Sequence, residues 1–137
     1  MIRAVLDTNV VISAHLNFEG PASLILDLVF SRFFRCYVSE ALLAEYGQIL
    51  NRPQFGLARR NISKSLRLIR KATIPVVPKI KLDVTSDPDD NKVVECALEA
   101  RADYMVTGNM RPFPKRFQDI RTILPRQFLT ILASEPS

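Results

Sequence analysis

Apolar positions along the chain alternate between short continuous runs and helical spacing, and each switch marks a change of element. Residues 2–6, Ile-Arg-Ala-Val-Leu, form a run that predicts a buried first strand ending at Asp7, with Thr8-Asn9 opening a loop or turn. Glu19-Gly20-Pro21 marks a helix start, and Leu24, Ile25 and Leu28 carry that helix to about Phe33. Cys36-Tyr37-Val38 predicts a second strand, after which Ser39 is placed to cap a helix bearing Leu42, Leu43, Tyr46, Ile49 and Leu50 that stops at Arg52-Pro53. A further helix has Ile62, Leu66 and Ile69 on one side. Ile74 to Pro78 predicts a connection or edge strand, because its prolines cannot donate to a central ladder. Asp87-Pro88-Asp89-Asp90 opens a helix through Val94, Ala97 and Leu98. Two short strands, 104–107 and 121–124, then precede a last helix that starts at Pro125. Strands alternating with helices predict an α/β fold, a three-layer α/β/α sandwich with a central parallel sheet.

Length and composition narrow the class. The 137 residues fit one domain spanning 1–137, and 47% hydrophobic with 24% charged residues is the balance of a globular domain, not a disordered chain. No apolar run reaches the roughly 20 residues of a membrane span, and Asp7 interrupts the start before a signal-peptide core forms, so a cytoplasmic protein without membrane attachment is expected. Cys36 and Cys96 stand far apart and outside any Cys-x-x-Cys pair, which predicts buried thiols. With His15 the one histidine, a metal site must use oxygen ligands, which favours Mg2+ or Mn2+ over zinc.

The net charge of +5 is unevenly spread. Residues 46–82 hold nine basic groups and no acid, whereas residues 83–103 hold seven acids against two bases. Arg60, Lys64, Arg67 and Lys71 recur at helical spacing as a cationic stripe opposite the apolar side. No acid lies three or four residues away to pair with them, which leaves a solvated helix face or a phosphodiester-binding track as the two readings.

In parallel sheets ligands bind beyond the carboxyl ends of the strands, so Asp7, which closes an apolar strand, is the first candidate. A cap for the following turn is its plainer role. Asp90 shares a helical side with Val94 and Ala97 and so points to the core edge, although a capping box with Asp87 would explain it equally. Asp89 ranks below Asp90, yet spacing alone does not separate them. Glu45 lies at the border of an apolar helix face, where a surface glutamate is the ordinary reading.

Together these features resemble the PIN domain family. The resemblance rests on Asp7-Thr8-Asn9 after the first strand, Glu45 in the helix after the second, Asp-Pro-Asp-Asp-Asn at 87–91, and Tyr-Met-Val-Thr-Gly-Asn at 104–109. The likeness extends to the PIN-type toxins of bacterial toxin–antitoxin pairs through Pro125-Arg-Gln-Phe-Leu129. It implies a metal-dependent endoribonuclease with Asp7, Glu45 and Asp90 as catalytic acids, and Mg2+ or Mn2+ held by Asp7, Asp90, Asn109 and Asp87. Asn109 departs from the family pattern, which often has an acid after Thr-Gly. An amide still offers a carbonyl oxygen to a hard cation. The resemblance further implies an RNA substrate, a cognate antitoxin and a homodimer. Arg60, Lys64, Arg67, Lys71, Arg111, Lys115 and Arg116 would then lie along the RNA with Phe113 available for stacking, although Arg111-Pro-Phe-Pro reads equally as a rigid surface loop.

Two other α/β phosphotransfer types place Asp at a strand end, but a dehalogenase-like site needs an acid where Asn9 stands, and a receiver needs a further acid pair and a late lysine. The remaining alternative is a catalytically degenerate PIN-like module that binds RNA or an antitoxin, motivated by Asn109.

Overall fold

The computed structural model describes residues 1–135. Six strands form one sheet in the order β3-β2-β1-β4-β6-β5, where β1 is Arg3–Leu6, β2 Arg35–Val38, β3 Ile74–Pro75, β4 Tyr104–Val106, β5 Arg116–Phe117 and β6 Ile120–Ile123. Helices flank the sheet as α1 Thr8–Leu16, α2 Pro21–Phe30, α3 Glu40–Leu50, α4 Arg59–Ala72, α5 Pro88–Ala100 and α6 Pro125–Ser134, completing the three-layer sandwich.

The sheet is parallel except at one edge. β1 lies between β2 and β4, with Ala4 opposite Cys36 and Tyr104, and this central place explains its unbroken apolar run. β5 pairs antiparallel with β6 through a tight turn in which Gln118 has φ 53°, so the expected all-parallel sheet acquires an antiparallel border. Two residues of strand in a Pro-rich charged stretch leave too short a pattern to read from sequence. β3 sits at the opposite edge, as its proline requires.

Two helix boundaries differ from expectation. α1 begins at Thr8 where a loop was expected, because Asp7 caps it by accepting from the Thr8 N–H. Val10, Val11, Ile12 and Ala14 are all buried, so α1 is apolar on several sides and shows no amphipathic period, and its β-branched residues argue locally against helix. α2 ends at Phe30 and not Phe33, since Arg32 turns the chain at φ 56° and leaves Phe33 exposed. α3 and α5 start as expected: Ser39 Oγ accepts from Leu42 N at 3.1 Å, and Asp87 Oδ1 accepts from Asp89 N at 2.9 Å.

One core runs through both sheet faces and includes the free thiols of Cys36 and Cys96. Phe128 of α6 packs edge-on to Phe34 and Tyr104 at centroid separations of 4.9 and 6.0 Å. No helix among the described residues is long and apolar enough to cross a membrane.

Candidate active site

The carboxyl ends of β1 and β4 lie side by side, which brings Asp7 next to Thr107. Asp7 extends the ladder by donating its N–H to Val106 O at 2.9 Å, so its side chain emerges at the sheet edge. Its carboxylate is only 6% exposed; Oδ1 accepts from Thr8 N at 2.8 Å and Oδ2 from Thr107 Oγ1 at 2.7 Å. The Asn9 side chain ties the two strand ends together, accepting from Gly108 N at 2.9 Å and donating to Thr107 Oγ1 at 3.3 Å.

Glu45 is 7% exposed, so the surface reading is overturned. α3 is pinned over the end of β1 because Tyr46 donates its hydroxyl to Leu6 O at 2.5 Å, which carries the neighbouring Glu45 to the Asp7 side of the sheet. Glu45 Oε2 accepts from Thr8 Oγ1, while Oε1 is buried with no hydrogen-bond partner. A lone buried carboxylate oxygen is costly unless a cation compensates it.

On α5, Asp87 serves as the cap, but the reciprocal half of a capping box is absent: Thr85 Oγ1 takes the Asp87 N–H at 3.3 Å. Asp90 is thereby left to line the site. Asn91, buried in α5, holds the approach loop by accepting from Val84 N at 3.2 Å and Thr85 N at 2.9 Å. Asp89 faces the Glu45 side and pairs with Lys92 Nζ at 2.8 Å.

These side chains border a cavity of about 350 Å3 lined by Asp7, Thr8, Asn9, Ile12, Ser13, Glu45, Ile49, Phe55, Asp89 and Asp90. A larger cavity of about 440 Å3, bounded by residues including Met1, Arg32, Phe33 and Leu132, contains Glu135 as its one acid and lacks this chemistry. Burial raises the Asp7 carboxyl above its usual value, against the lowering effect of its Thr107 and Thr8 bonds. Glu45 is raised chiefly by burial, with Asp89 adding to the rise. Asp90 is pushed up to about 6 by burial and then by the charges of Asp7, Asp87 and Asp89. Asp89 is lowered, first by its bond to Lys92.

Three of the four cavity acids thus favour the protonated state in the fold. Such groups stabilise fully below their ordinary values and lose that contribution as pH rises through the shifted ones. In a chelator the melting temperature is therefore expected to fall as pH rises from about 4, with the Asp90 contribution lost by about pH 6 and those of Asp7 and Glu45 lost as each titrates above its ordinary value, and Mn2+ is expected to restore it near neutrality. A melting temperature that climbs over that interval in chelator would contradict the crowding of these acids.

Mg2+ or Mn2+ suits this donor set, since the acids lining the cavity, Asp7, Glu45, Asp89 and Asp90, offer only carboxylate oxygens and Glu45 Oε1 is buried without a hydrogen bond. Among the described residues, no three His, Cys, Asp or Glu side chains are already gathered as a metal cage. Glu45 and Asp89 share Lys92, whereas Asp90 feels the charges of Asp7, Asp87 and Asp89.

Other expected residues lie elsewhere. Asp87 and Asn109 are exposed and outside the cavity lining; Asn109 Oδ1 accepts from Arg111 N at 3.4 Å within its own loop. Arg60, Lys64, Arg67 and Lys71 are exposed on α4 and make no ion pair among the described residues. Arg70 of the same helix is held by Glu40 of α3 at 2.5 Å. Arg111, Lys115 and Arg116 are exposed, but Phe113 is only 6% exposed and belongs to the core, so it cannot stack on a base. The half-buried Phe55, which lines the acidic cavity, escaped the sequence reading, as did Lys92 and Thr107. Thr107 was legible only as part of a motif, and Lys92 only by its three-residue spacing from Asp89. His15 is spent on structure, joining α1 to α4 through Ser65 Oγ at 2.6 Å.

A mostly parallel sheet with buried acids at its carboxyl edge defines an α/β protein with an acidic cavity beyond the strand ends. The chain matches the PIN domain over residues 3–111 and belongs to that family. An uncharacterized protein of Methanocaldococcus jannaschii is 32% identical over 111 residues, covering 79% of this chain and 71% of that protein. The fold also resembles a chain in the crystal structure of VapBC2 from Rickettsia felis bound to a DNA fragment from their promoter, with TM-score 0.62 and 16% identity over 90% of this chain and 98% of that one.

Proposed function

We propose that this chain is a Mg2+- or Mn2+-dependent endoribonuclease that acts as the toxin of a toxin–antitoxin pair. The observation that carries the reading is the acidic cavity itself, lined by Asp7 at the end of β1, Glu45 of α3, and Asp89 and Asp90 of α5. Crowded carboxylates with raised protonation are what a divalent cation relieves. Asp7 and Asp90 would hold the ion, with Glu45 behind them. When bound, it would activate water and offset the charge that develops on the cleaved phosphodiester.

The protein's own groups set the stage for that chemistry. Thr107 and the Thr8 N–H fix the Asp7 carboxylate in one orientation, and Tyr46 holds α3 so that Glu45 faces the cavity. Ile12, Ile49 and Phe55 form the apolar side of the open cavity, where the Phe55 ring would be available to an unstacked base. Arg60, Lys64, Arg67 and Lys71 would track a strand backbone, with Arg111, Lys115 and Arg116 as a second cationic group. Single-stranded RNA suits an open cleft better than a duplex does. The likeness to VapBC2, a complex caught on promoter DNA, supports an antitoxin as protein partner, and a homodimer is part of the same reading.

The test is incubation of the purified chain with mixed single-stranded RNAs in Mn2+, with EDTA and Asp7→Asn controls. Discrete products that vanish in both controls would establish the nuclease. A second reading, a degenerate module that binds RNA or an antitoxin, is favoured by the exposed Asn109 and the lack of a ready-made cage among the described residues. RNA binding that persists in EDTA, with no cleavage in Mn2+, would select it.

A further inference from the structure

Lys92 stands one turn into α5 among the acids of the cavity. Its Nζ lies 2.8 Å from Asp89 Oδ1 and 3.8 Å from Glu45 Oε1. On an open helix face the Asp89 pair would be worth little. Here the second acid is buried, its other oxygen is committed to Thr8, and Oε1 has no hydrogen-bond donor. The ammonium is therefore the cation that faces this orphaned oxygen. The other two acids of the cavity lining, Asp7 and Asp90, make no ion pair among the described residues.

We propose that Lys92 is a built-in counter-ion that takes the place of a second divalent cation, so that the chain holds a single Mg2+ or Mn2+, at Asp7 and Asp90. This rests on the metal-dependent reading above. A two-ion site sets its cations about 4 Å apart, each on its own carboxylates. Lys92 already neutralises the pair that a second ion would need, and a dication placed there would meet the ammonium at close range. The lysine is a positioning residue: it holds Glu45 and Asp89 together without touching the scissile bond. Its side chain is 35% exposed, so removing its charge leaves the core intact.

Mn2+ titration of the full chain, followed by the electron-spin signal of free Mn2+ and by thermal melting without RNA, tests this. Wild type is expected to bind one Mn2+. Lys92→Met is expected to bind a second, at least about tenfold tighter than wild type at that step, and to melt lower in EDTA near neutral pH. Lys92→Arg, which keeps the charge, is expected to bind one. A merely structural lysine would alter melting but not stoichiometry. Two ions of comparable affinity on wild type, or a folded Lys92→Met that titrates like wild type, would overturn the assignment while leaving the nuclease reading in place. Failure of both proteins to bind Mn2+ would overturn both. Should Lys92→Met not melt cooperatively, Lys92→Gln decides by the same criteria.

Discussion

Replacing Asp7 by Asn is expected to lower RNA cleavage by at least about 100-fold while the protein stays folded. The two effects separate because of how Asp7 is held. Its carboxylate is almost fully buried, and burial already works against its charge, so a neutral amide of the same size removes an electrostatic cost. The Asn Oδ1 can still accept from Thr8 N, and the Thr107 hydroxyl, freed from Asp7, can turn to Asn109 O, which lies 3.2 Å away. What the amide cannot supply is the negative charge that draws a divalent cation to the end of β1. Cleavage under single-turnover conditions and thermal melting, measured on the same sample, distinguish the outcomes. Undiminished cleavage would remove Asp7 from the site, and a collapse in melting temperature would assign the loss to folding.

Phe128→Ala is expected to have the largest effect on stability, about 3–5 kcal/mol by urea denaturation. Phe128 is 0% exposed and meets the edges of Phe34 and Tyr104, so the substitution removes both a buried ring and two aromatic contacts. The cavity left would lie between α6 and the sheet, whose strands cannot close over it without breaking their ladder. No cavity-lining acid touches this cluster, so cleavage per folded molecule is expected to be unchanged. A loss below about 1 kcal/mol would mean that α6 contributes little to the core.

The two predictions bear on different parts of what the sequence shows. The Phe128 helix was legible because Pro125 marks its first turn and its apolar residues keep one period. The same holds for α3 and α5, whose caps Ser39 and Asp87 act through neighbouring backbone groups. Such signals are local, and local geometry suffices to read them. α1 was missed because a helix buried on several sides has no polar face to reveal its period. Phe113 was misread because Arg111-Pro-Phe-Pro looks like exposed loop, and its burial depends on where the core closes.

The sequence by itself determined the succession of strands and helices apart from α1 and β5, the parallel centre of the sheet, the place of Asp7 at its carboxyl edge and the cations of α4 without acids along their own helix. Each follows from spacing within a short window. Only the tertiary structure decided that Glu45 is buried and that Asp89 joins it through Lys92, while Asp90 lines the same cavity as Asp7. It also left Asn109 outside the cavity and set Lys92 between two acids. These are relations between elements as much as 100 residues apart, as in the bond from Thr107 to Asp7. Their energies come from burial and from charge at short range, and neither quantity exists until the chain has folded.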